Sequence, residues 1–313
     1  MVPHGGAAGR LLFTLIALLL GACALRPATA PPVALELDGT PFFPQQAWHC
    51  GPAALATLLV HAGVDTDPEK LAPQVYLPER QGSLQLELVA ATRRAGKLPY
   101  LLPPDAEALD VALAEAFPVL VLQNLGSRRW PRWHYAVVIG RDVRGAWLLR
   151  SGTEFRQRMA ERRFRAVWER GGRWAMVTLD PAQVPEFAEE ARFVDAAAGF
   201  EAVGQFDLAA TAYRATLARW PGNFAARLGL GNVDYLRGDR QSAARHYRLA
   251  TELAPSHPAG WNNLATVLGE MGCRDQALAA LERGEAVVTP GFVDALAETR
   301  RTLADRPVRA CEL

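Results

Sequence analysis

A spacing of 34 residues recurs through the C-terminal half of the chain, and no other feature limits its possible folds as tightly. Ala209 and Ala243 are separated by it, as are Tyr213 and Tyr247, Pro221 and Pro255, and the glycines Gly204, Gly238 and Gly272. Gly231 is matched 34 positions later by Ala265, where two helices need a small residue to approach closely. Unrelated amphipathic helices would not keep one register at so many positions. A unit of this length, helical on both sides of a glycine and closed by a proline, reads as a helical hairpin. One hairpin cannot bury its apolar face alone, so neighbouring units must stack to make a core.

This pattern resembles the tetratricopeptide repeat, in three copies over roughly residues 190–290. The all-α repeat domain is expected over 187–304, with "GFVDALAETRRTLA" (291–304) as the capping helix. The resemblance implies docking of a protein partner.

With 313 residues, the chain has room for a second domain ahead of the repeats. Its formal charge of +1 gives no support for a nucleic-acid partner. The single basic block, "RQRMAERRFR" (156–165), is expected to be a solvated helix face. At the N-terminus, Arg10 precedes "LLFTLIALLLGA", an apolar run too short to span a bilayer. Residues 1–22 therefore read as a signal peptide. Its end, Leu20 to Cys23, resembles the lipobox of bacterial lipoproteins, which implies lipid on Cys23 and membrane attachment through it. Residues 23–35 are rich in Ala and Pro and form the expected tether. Ala24 stands where Asp would hold such a lipoprotein at the inner membrane, so the resemblance implies an outer-membrane anchor facing the periplasm.

Residues 36–180 read as α+β. Helices are expected at about 50–63, 82–96 with Ser83 as N-cap, and 106–116. The runs 118–125, 134–140, 146–152 and 173–179 then read as antiparallel strands. Within this half, "QQAWHCGPAALATLL" (45–59) sets Cys50 at the start of a helix. The positive end of a helix dipole favours a thiolate there. The same position also suits a small buried residue opening a core helix. A nucleophilic thiol needs a base. His4 lies in the signal peptide, His246 and His257 lie in the repeats, His49 should point away from its neighbour, and His61 lies turns further along. His134 remains, opening a strand in the same domain.

"FFPQQAWHCGPAALATLL" and "WHYAVVIG" together resemble the papain-like cysteine peptidases of family 39, the double-glycine or bacteriocin-leader peptidases. The resemblance covers about 36–180 and implies a papain-like fold with Cys50 as nucleophile and His134 as general base and later acid. A glutamine amide and the Cys50 backbone N–H would hold the oxyanion, and Gln45 fits the family spacing better than Gln46. The family usually orients its histidine with Asp or Asn. Here a hairpin centred near Asp142 and Val143 puts Ser151 opposite His134, while Asp142 itself lies too far along the turn. Ser151 is the expected orienter, with Asn124 on the neighbouring strand as the fallback.

The expected function is peptide-bond hydrolysis on a peptide or protein substrate, with the repeats docking a partner or presenting the substrate. A scaffold lipoprotein that keeps the fold without turnover is the alternative, and an acyl or amide transferase would share the nucleophile. Cys and His nowhere occur at metal-ligand spacing, and no P-loop is present, so neither metal nor cofactor is expected. With Cys23 lipidated, three cysteines remain. A disulfide between Cys273 and Cys311 would tie the tail across the capping helix; the alternative is two idle thiols.

Overall fold

The computed structural model describes residues 34–45, 49–305 and 311. The expected signal peptide, the lipidation site Cys23, most of the tether and Gln46 lie outside the described residues. Leu35, the last residue of the expected tether, already belongs to the fold. It forms β1 (Leu35–Glu36) and pairs with Arg141.

The N-terminal half is built on a wholly antiparallel sheet with the order β2-β7-β3-β4-β5-β6. These strands are β2 (Leu98–Leu101), β3 (Val119–Asn124), β4 (Trp133–Arg141), β5 (Trp147–Ser151), β6 (Glu154–Met159) and β7 (Ala175–Leu179), and β1 adds to the far end of β4. Three helices cover one face: α1 (Cys50–His61), α2 (Pro68–Val75) and α3 (Gln85–Arg94). They pack through Leu55, Leu58, Leu71 and Leu88 on Leu120, Val137, Ile139 and Met176. The other face carries α4 (Ala106–Ala114) and α5 (Glu161–Arg170) over Val119, Val121, Val138 and Trp147. A sheet buried on both sides has no need of alternation, hence the unbroken apolar runs of β3 and β4. The helices interleave with the strands rather than all preceding them, as the sequence had suggested, because α4 and α5 must cover the second face.

Two local expectations are corrected. Ser83 does not cap α3; Leu84 holds that position without a side-chain cap, and Ser83 instead packs against the start of α1. The basic block 156–165 is not one helix face. It is divided between the edge strand β6 and the first turns of α5, with Phe164 buried, and Arg156, Arg158 and Arg165 pair with Glu36, Asp142 and Glu161.

Beyond β7 the chain is helical: α6 (Glu190–Glu201), α7 (Phe206–Arg219), α8 (Phe224–Leu236), α9 (Arg240–Leu253), α10 (Pro258–Glu270), α11 (Arg274–Ala286) and α12 (Val293–Asp305). The first six make three hairpins. Their turns carry Gly204, Gly238 and Gly272, all with positive φ near 80°, a conformation other residues adopt at a cost. Gly231 lies against the Tyr247 ring, and a Cβ there would come within 2.5 Å of it. Cys273 and Cys311 form a disulfide with Cα atoms 4.4 Å apart.

The first hairpin is not a separate body. Phe193, Phe200 and Tyr213 belong to the same core as Leu98, Tyr100 and Val177. The connection is pinned as well: Glu115 accepts the backbone N–H groups of Glu186 and Phe187, and Tyr100 Oη accepts that of Glu189 at 2.8 Å.

Candidate functional site

Cys50 opens α1, whose N-cap His49 supplies no side-chain cap, so the N–H groups of the first turn are not taken up by a capping side chain. Gly51 follows because Ser83 lies against it; a Cβ at 51 would meet Ser83 Oγ at 2.2 Å. From Gly51 to Leu59 the helix is buried, and this fixes the thiol at the surface end of a rigid element. His49 turns away as expected, packing edge-on against Tyr76 at 5.1 Å between centroids.

His134 lies near the start of β4, opposite Gln123 of β3. Its Nε2 shares a hydrogen bond with Ser151 Oγ at 2.9 Å, and Ser151 is itself buried. The expected side-chain pair therefore meets, though not through the expected register. Val137 pairs with Arg150 and Val138 with Leu149, two residues out from a hairpin centred at 142–143. The Asp142 carboxylate accepts the N–H groups of Arg144 and Ala146, which widens the turn, and a bulge follows between Val138 and Gly140. Extending that register sets Ser151 diagonal to His134 on one face. Asn124 is committed elsewhere. Its side chain accepts from the backbone N–H groups of Gly126 and Arg132 and donates to Ser127 O, holding the β3–β4 loop.

Gln45 arrives from the segment before α1. Its backbone N–H donates to Gly152 O at 2.9 Å, and its Nε2 donates to Tyr135 O at 3.4 Å. Gln45, Cys50, His134 and Gly152 line one open cleft of about 1110 Å³, together with residues 80–85 and 131–133. Three distant stretches of sequence thus converge on one cavity.

The electrostatics differ from the sequence expectation of a thiolate. Burial pushes the Cys50 thiol above its ordinary value, although backbone hydrogen bonds from Tyr135 and Gly51 oppose it. Burial, with the Arg132 charge second, pushes the His134 imidazole down to about 4. Desolvation is the largest influence on both groups, and no described carboxylate pairs with the ring to offset it. Near neutral pH the thiol and the imidazole that line the cleft are both uncharged.

One residue of this neighbourhood escaped the sequence reading. Gln123, across the ladder from His134, is fully buried, and its amide has no hydrogen-bond partner among the described residues. The signal was available: an amide directly after the apolar run "VLVL" of a buried strand is costly unless it serves something.

Residues 194–258 match the tetratricopeptide repeat family. No curated protein matches the chain. Among solved structures, the chain is similar to the Sgt2 TPR domain from Aspergillus fumigatus, with 20% identity over 42% of this chain and 92% of that one and a TM-score of 0.34. It is similar to the MamA protein, with 18% identity over 37% of this chain and 67% of that one, at a TM-score of 0.32. It is also similar to the peptidase domain of Streptococcus ComA, a bi-functional ABC transporter of a quorum sensing pathway. That match has 22% identity, covers 45% of this chain and 98% of that one, and has a TM-score of 0.36.

Proposed function

We propose that residues 36–180 are a papain-like thiol peptidase of the double-glycine type, lipid-anchored through Cys23 and facing the periplasm, with residues 187–304 docking a protein partner or presenting the substrate. The observation that carries this reading is the convergence of Gln45, Cys50 and His134 on one cleft, with Ser151 on Nε2 of the ring. The membrane part of the proposal is supported by residues 1–35 as sequence alone.

In this reading Cys50 Sγ attacks the scissile carbonyl carbon while His134 takes the thiol proton, so charge separates only as the carbon–sulfur bond forms. The oxyanion accepts hydrogen bonds from the Cys50 backbone N–H and from Gln45 Nε2, an amide that carries two donor hydrogens. His134 then gives its proton to the leaving amine. Water, deprotonated by the same ring, hydrolyses the thioester and regenerates the thiol.

A second reading, a scaffold without turnover, is favoured by one observation: Ser151 stabilises the ring's orientation but brings no charge to the imidazolium. Treatment with an epoxide probe for thiol peptidases, with turnover of a peptide mixture measured alongside, separates the two. Labelling at Cys50 and turnover, both lost in Cys50→Ala and His134→Ala, support the peptidase. An unlabelled, inactive wild type with intact partner binding supports the scaffold. Turnover that transfers the acyl group to added amine in preference to water identifies a transferase.

A further inference from the structure

The charged side chains that line the cleft are all of one sign. Arg80, at the end of the short 3-10 helix Pro78–Arg80, and Arg132, in the loop leading into β4, both belong to its lining. No described aspartate or glutamate lines the cleft, and neither arginine forms an ion pair with a described residue. Glu79 adjoins Arg80 in the chain but is not part of the lining. Arg128 and Arg129 extend the basic side onto the lip, next to Trp130 and Trp133, which are 73% and 58% exposed.

This lip is held in shape rather than loosely draped. Asn124 binds Gly126, Ser127 and Arg132 at once; Leu125 N donates to Arg132 O at 2.8 Å, and Ser127 Oγ accepts the Trp130 N–H at 3.0 Å. A loop built this way presents its guanidinium groups without first having to be ordered, which lowers the cost of binding. Guanidinium forks match carboxylates bidentately, and two arginines lining one cleft can each take an acidic side chain of one extended peptide.

We infer that the cleft selects peptide substrates carrying acidic side chains near the bond presented to Cys50, read by Arg80 and Arg132. The inference rests on the peptidase reading for the bond-breaking step, but not for the binding. It also bears on the missing charge beside His134. A substrate carboxylate on Arg132 neutralises the cation that disfavours the imidazolium, so the right substrate eases the proton transfer as well as the docking.

The test uses short fluorescein-labelled Ala/Gly peptides that differ only in carrying two aspartates, two asparagines or two lysines. Binding is measured by anisotropy on full-chain Cys50→Ala, and turnover on the wild type. The aspartate peptide is expected to bind roughly tenfold tighter than the asparagine one, and the difference should shrink as salt screens the contact. Arg80→Gln with Arg132→Gln, two exposed positions, should erase the preference while the melting temperature stays unchanged. Equal binding of all three peptides, or a preference that survives the double substitution, overturns the inference. So does a protein that ignores the peptides but binds anionic vesicles through the same arginines. Acidic preference without wild-type turnover removes the peptidase reading and leaves this inference standing. Turnover indifferent to charge does the reverse.

Discussion

His134 Nε2 and Ser151 Oγ are joined at 2.9 Å across neighbouring strands, so a half-buried imidazole is oriented by a neutral hydroxyl. The hydroxyl fixes the ring's direction as a carboxylate would. It does little for the positive charge the ring would take up in the proposed reaction. The strength of a neutral hydrogen bond, about 1 kcal/mol, sets the expected cost of losing it.

Ser151→Ala should therefore lower kcat by roughly fivefold, far less than loss of the base itself. Ser151→Asp should raise the imidazole pKa and move the acid limb of the rate profile. Steady-state kinetics across pH on both variants checks this; a loss in Ser151→Ala as deep as in His134→Ala would show the hydroxyl to be more than an orienter.

Thiol reactivity gives a second pH signature. With the Cys50 thiol raised and the imidazole lowered to about 4, thiolate is scarce near neutrality. The iodoacetamide alkylation rate of Cys50 should climb steadily into the alkaline range, with no plateau from mildly acid pH. Mass spectrometry of timed samples reads this directly. A plateau beginning near pH 5 would mean that an ion pair exists after all.

Stability should follow the same ring. The folded-state pKa of His134 lies below its unfolded value, near 6.5, so between about 6.5 and 4 the unfolded chain binds a proton that the fold refuses. Stability from this group is full above that window and is lost as pH falls through it, by about 3 kcal/mol. Urea unfolding at several pH values should show a shallower acid decline in His134→Gln than in wild type.

Gln123 invites a test that separates folding from function. Removing its unpartnered buried amide in Gln123→Leu should leave stability unchanged or raise it by about 1 kcal/mol. If the amide dipole also serves the His134 imidazolium, kcat should fall in the same variant. Equal kcat in wild type and variant would assign the residue no part in the site.

Reduction of the Cys273–Cys311 bridge, which spans 38 residues, should cost about 3–4 kcal/mol in the chain-entropy description. Calorimetry with and without reductant measures it, and Cys273→Ser should behave as the reduced protein does.

Much of this was written into the sequence in local terms. The 34-residue period was legible because each hairpin meets the same surroundings as the next, so Tyr213 and Tyr247 face the same demand. Cys50 and His134 stood out through their chemistry and their places at element starts. The strand β2 did not, since "LPYL" is short and contains Pro99; β6, "EFRQRM", is an edge strand whose polar face hides its period. The helix α5 was obscured by its arginines, although Phe164, Val167 and Trp168 keep helical spacing. The β4–β5 register lay beyond sequence reasoning, since it turns on how Asp142 folds back on Ala146 and on a bulge. A buried amide at Gln123 was legible as costly, but its place across the ladder from His134 was not, since that depends on the β3–β4 register.

The stack of hairpins has an unusual property as an array. Solenoids lengthen by adding units at either end. Here the first helix, α6, is merged with β2 and β7 in one core, while the last, α12, is followed by a tail bonded back to Cys273. Growth at these two ends would have to open the shared core or displace the bonded tail, whereas a hairpin inserted between existing ones would leave both intact. The array is thus built to lengthen from within, each inserted unit carrying the Cys273–Cys311 bridge further from Cys50.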